Sequence, residues 1–127
     1  MVISIVRQFD GAWAVNTVST TTSESSTGLC PNESNSFTVT VSKNSETSYS
    51  TTYLGVELDL SMTSKDDPAG LTGTISGTYD DDPGKTTENL TVHIPNSTSL
   101  NGSSTWSYAG PNGSFCTGTT TVTGHRP

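Results

Sequence analysis

The sequence is short of three things on which most folds rely: large aliphatic side chains, positive charge and cysteine. Leu, Ile, Val and Phe supply under a fifth of the 127 residues, the range in which a chain has little to bury and disorder competes with folding. Five Lys and Arg stand against twelve Asp and Glu, for a net charge of -7 and a pI near 4.4. Such a surface repels phosphate backbones and anionic lipid heads, which excludes nucleic acid as a natural partner. No stretch approaches the roughly 20 apolar residues of a membrane-spanning helix. The apolar run that follows Met1 (Val2, Ile3, Ile5, Val6) is too short for a signal peptide, so any export signal is expected to have been removed or replaced by Met1. A helical apolar period is missing as well.

What is present is alternation. Apolar residues fall at every second position in several separate runs, a pattern that a disordered chain does not need, and 127 residues suffice for one domain. A domain with so thin a core needs a staple, a metal or a neighbouring subunit. Cys30 and Cys116 are expected to pair, which fits an oxidising, extracytoplasmic location, secreted or at the cell surface. The alternative is two unpaired buried thiols in a cytosolic protein.

Serine and threonine make up about a third of the chain, so it is solvated chiefly by hydroxyls. Five N-x-Ser/Thr sequons start at Asn32, Asn89, Asn96, Asn101 and Asn112 and are candidate glycosylation sites.

Along the chain, Val2 to Val6 reads as a strand buried on both faces or inserted against another subunit. Phe9, Trp13 and Val15 share a face of the next strand, with Asp10-Gly11 permitting a bend. Residues 19–35, almost without apolar side chains, are expected to form one long exposed loop pinned at Cys30. Sheet returns at Phe37, Val39 and Val41. In Gly55 to Met62 the residues Val56, Leu58, Leu60 and Met62 point one way, while Glu57, Asp59 and Ser61 point the other. Leu71 to Tyr79 alternates large residues with glycine. Acidic turns at Asp66 to Gly70 and Asp80 to Gly84 punctuate the sequence, Leu90, Val92 and Ile94 follow, and a last strand runs from about Ser114 to Thr123. Eight or nine short strands without helix predict an all-β domain over residues 1–127, either a small antiparallel barrel or a two-sheet sandwich.

Candidate sites are few. Asp80-Asp81-Asp82-Pro83-Gly84 offers oxygen ligands, but the twelfth position of a calcium loop would be Thr91 instead of Glu, so a solvated turn is expected and no metal or cofactor is called for. Glu57 and Asp59 share a strand face and suit solvent better than hydrolysis. His93 and His125 have no spacing to a nucleophile, and no catalytic residue is assigned. The threonines 38, 40, 72, 74, 117, 119 and 121 fit outward strand positions. Trp13, Tyr79, Trp106 and Tyr108 are the candidate ligand-binding walls of a barrel, with the core as their other possible place.

Phe9-Asp10-Gly11-Ala12-Trp13 together with Cys116-Thr117-Gly118-Thr119 resembles short exported bacterial β domains of uncharacterised function. The segments Gly11-Ala12-Trp13 and Leu71-Thr72-Gly73-Thr74 are similar to strand signatures of avidin-type and lipocalin-type barrels. That resemblance implies a small barrel and carries over no ligand-binding residue.

Three functions compete at this level. The first is a non-enzymatic extracellular module: a glycosylated surface, adhesive or filament-forming subunit that self-associates through Val2, Ile3, Ile5 and Val6. The second is a small barrel that binds a small apolar or aromatic ligand or a carbohydrate. A small cyclase or hydrolase is third, because no constellation of acid, base and nucleophile rises above composition.

Overall fold

A computed structural model describes residues 8–53 and 55–127. Eight strands follow one another as an antiparallel meander: β1 (Gly11–Glu24), β2 (Glu33–Lys43), β3 (Ser48–Tyr53), β4 (Val56–Ser61), β5 (Leu71–Asp81), β6 (Gly84–Ile94), β7 (Leu100–Ala109) and β8 (Phe115–His125). Each pairs with the next, and β8 returns to β1, which closes the sheet into a barrel. Closure leaves no edge along most of the wall. Of the two architectures expected, the barrel is the one adopted. Among the described residues the helical content is one short 3-10 turn, Pro111–Gly113, and no helix is long and apolar enough to cross a membrane.

The polar stretch 19–35 is not one loop. Residues 19–24 complete β1 and residues 33–35 begin β2, leaving only 25–32 as connection. The strand pattern was masked because its inward side chains here, Ser19, Thr21, Glu33 and Asn35, are polar. Val15, Thr17 and Ser19 face the same side as their β2 partners Phe37, Asn35 and Glu33.

The interior is therefore divided along the barrel axis. At one end Trp13, Val15, Val41, Tyr49, Leu58, Leu60, Leu71, Val92, Ile94, Leu100 and Val122 are buried in one contiguous cluster. Phe9, just ahead of β1, packs edge-on against Tyr49 with ring centroids 5.7 Å apart. Arg126 closes this end. Its guanidinium lies 4.3 Å from the Trp13 ring centroid, and it donates to the carbonyls of Gln8, Ala12 and Ser97. The Trp13 indole N–H donates to the Phe9 carbonyl at 2.8 Å. One cation thus ties the start of β1, the β6–β7 turn and the chain's end around one buried ring.

The other end is open. The β1–β2 loop lies over it, fastened by the Cys30–Cys116 disulfide; no free cysteine remains. Glu24 accepts from the backbone N–H groups of Gly28 and Cys30, and the Thr21 hydroxyl donates to the Cys30 carbonyl. The β3–β4 hairpin is short. Counted from the pairs Ser42–Ser50 and Ser61–Thr72, its tip reaches only the level of Val39 on β2 and Gly77 on β5. The upper parts of β2 and β5 rise past it and leave a notch in the wall.

Two stability measurements check this arrangement. Arg126→Ala removes the cation over Trp13 and three charge-assisted bonds, and should lower unfolding free energy by roughly 2 kcal/mol in denaturant titration. Replacing both cysteines by serine reopens a loop with a sequence separation of 86, for an expected loss of about 4 to 5 kcal/mol by loop-closure entropy.

Candidate functional site

Above the apolar cluster the inward positions carry a different chemistry. They enclose a cup of about 470 Å³, open between the β1–β2 loop, the β5–β6 hairpin and the notch. Thr17, Ser19 and Thr120 line its lower wall, and Tyr53, Tyr79, Trp106 and Tyr108 supply its aromatic surface. Glu33, Asp81, Asp82 and Glu88 supply its carboxylates, and Leu29, Pro31 and the disulfide its roof. A cavity of this size falls in the range of small-molecule sites.

Strand register explains the geometry. Gly77, Glu88, Trp106 and Gly118 are lateral neighbours on the inner faces of β5, β6, β7 and β8. The Trp106 ring lies against the Gly118 backbone, where a Cβ would collide with the indole and with the Thr20 carbonyl. Glycine thus lets the indole lie flat on the wall. At Gly77 the opposite holds: an added Cβ would meet nothing within 4 Å, so the cup has open space beside Glu88. The next ring up consists of Tyr79, Thr86, Tyr108 and Cys116.

The Tyr79 hydroxyl donates to Glu88 Oε2 at 3.1 Å, and the Thr86 hydroxyl donates to Asp81 Oδ2 at 2.8 Å. Phe37 packs beside Tyr53, ring centroids 5.7 Å apart, and anchors it to β2. Burial, and then the Glu88 carboxylate, push the Tyr53 phenol up to about 12. Tyr79 is also pushed up to about 12, first by burial and then by Glu88, with Asp81 and Tyr53 adding to the effect. Both phenols therefore stay protonated in a strongly negative environment.

Of the four aromatic candidates from sequence, Tyr79, Trp106 and Tyr108 line the cup. Trp13 takes the other place open to it: it is fully buried at the closed end, because its alternation puts it among the apolar ring under Arg126. Tyr53, Glu33, Asp81 and Glu88 were missed as cup residues. Strand alternation alone would have put Glu88 on the face of Leu90 and Val92, the one signal available.

The remaining candidates face outward. Glu57 and Asp59 are exposed on β4, and His93 donates from its ring to the Ala69 carbonyl. His125 is exposed at the end of β8. Asp80 pairs with Lys85 at 3.2 Å on the outside of the hairpin. Among the described residues no group of three or more His, Cys, Asp or Glu is placed to hold a metal ion. Asn32, Asn89, Asn96, Asn101 and Asn112 are all exposed. Val2, Ile3, Ile5 and Val6, on which self-association was expected to rest, lie outside the described residues. Comparison of the chain with family models, with curated proteins and with solved structures finds no match.

The raised phenols give a measurable consequence. The folded state holds these protons more tightly than the unfolded chain, so their contribution to stability is intact below pH 10 and is lost as the pH rises toward 12. Phenolate absorbance should show a late-titrating component that a Tyr53→Phe/Tyr79→Phe double variant lacks and that Glu88→Gln moves to lower pH.

Proposed function

We propose that this chain is an exported, non-enzymatic binding barrel that holds one small, largely aromatic or apolar molecule in its open half. The observation that carries the reading is the division of the interior: one half is packed with apolar side chains, and the other is a cup of about 470 Å³ walled by Tyr53, Tyr79, Trp106 and Tyr108. Rigid aromatic walls give large contact area at low entropic cost, and the hydroxyls and carboxylates between them fix orientation. The disulfide, the hydroxyl-rich outer surface and the exposed sequons support an extracytoplasmic setting. Of the exposed large apolar side chains, Leu29 and Tyr79 line the cup, where they would receive an apolar molecule.

The neutral fluorescent probe N-phenylnaphthylamine tests this. Binding should be saturable at one site, and Trp106→Phe should weaken it by removing part of the aromatic wall. Gly77→Leu should fold with unchanged melting temperature, because the position has free space, yet weaken the probe by about tenfold or more by filling the cup. Saturable binding that is equal in Gly77→Leu and the parent would place the probe elsewhere and remove the reading.

A further inference from the structure

The charge of the cup goes further than its size. Its lining contains four carboxylates, Glu33, Asp81, Asp82 and Glu88, and no lysine, arginine or histidine. Glu88 is the most telling of them. It is half-buried on the inner face of β6 between Gly77 and Trp106; one carboxylate oxygen accepts from Tyr79, and no cationic side chain pairs with it among the described residues. A half-buried carboxylate that lines the cup without a counter-ion offers a ready partner to a cation.

A further observation points to an occupant of positive charge: charge is unevenly divided between the two ends. Of the described cationic side chains, Lys43, Lys65 and Arg126 belong to the closed end, and only Lys85 to the open one, where it faces outward against Asp80. Glu24, Glu33, Asp80, Asp81, Asp82 and Glu88 gather at the open end, while Asp10, Glu46, Asp59, Asp66 and Asp67 share the other end with those three cations, so the excess of negative charge lies at the mouth and draws positive charge to it.

Taking the cup as a ligand site, we propose that its ligand is an organic cation: an ammonium group on an aromatic or apolar body, the charge set against Glu88 and the faces of Tyr53, Tyr79 and Trp106. Aromatic faces and carboxylates together are the chemistry that selects an ammonium ion, since the ring quadrupoles attract it and a carboxylate neutralises it. A carboxylate or phosphate ligand would meet like charge on every side. The Glu88 carboxylate, which adds to burial in raising both phenols, favours a cation for the same reason.

The test uses three probes that share a phenyl ring and differ in charge: phenethylamine, phenethyl alcohol and phenylacetate. Each is titrated into the intact oxidised protein by calorimetry and by displacement of N-phenylnaphthylamine. The amine should bind at least about tenfold more tightly than the alcohol, phenylacetate should be weakest, and the advantage of the amine should shrink with salt. Glu88→Gln, nearly isosteric, should remove most of that advantage and leave the affinity for the alcohol unchanged, which also reports that the cup is intact. Alcohol binding as tightly as amine, or an amine advantage that survives Glu88→Gln, would overturn the cation assignment and leave the cup as a neutral-ligand site. Failure of all three probes and of N-phenylnaphthylamine would overturn both readings.

Discussion

An eight-stranded barrel has an interior that side chains must fill, and this chain has large apolar side chains enough for about half of it. The rest of the structure follows from that shortage. The aliphatic and aromatic residues concentrate at one end, where they pack to the density a core requires, and the opposite end is left to polar and aromatic residues that do not meet across the axis. A cup is what remains when the wall is complete and the filling is not.

Each end then needs its own fastening. At the closed end the fastening is non-covalent: Arg126 covers Trp13 and gathers three carbonyls from separate parts of the chain. At the open end there is little hydrophobic contact to hold the β1–β2 loop, and a covalent bond from Cys30 to the fully buried Cys116 takes over. Glu24 adds order by accepting two loop amides. The wall can therefore be rigid around space that contributes no packing energy of its own.

The same division decides how much was legible in the sequence. Strands whose inner face is apolar announced themselves: the alternation of Val56, Leu58 and Leu60, or of Leu90, Val92 and Ile94, predicts sheet because inward and outward residues differ in kind. The pairing of the two cysteines was also legible, from the thinness of the core. Where both faces are polar, as in Ser19 to Glu24 and Glu33 to Asn35, the period of two vanishes and strand looks like loop. The candidate site lies in this polar half, so the polarity of its lining also hid it. Trp13 shows the converse case. As a residue type it suited a ligand wall as well as the core; alternation with Phe9 and Val15 leaves both open, and register with Arg126 from far along the chain assigns it to the core.

The division also separates what the fold needs from what the cup presents. Glu88, Thr86 and Asn35 line the cup outside the buried cluster, so exchanging them alters the lining without opening a void among the packed residues, whereas Tyr53 belongs to both lining and cluster. The cup's lining and the fold are then encoded in largely different residues of the same strands. A lineage carrying this barrel is free to change what the cup presents by drift at a handful of inner-face sites, while Trp13, Arg126 and the apolar ring keep the architecture constant.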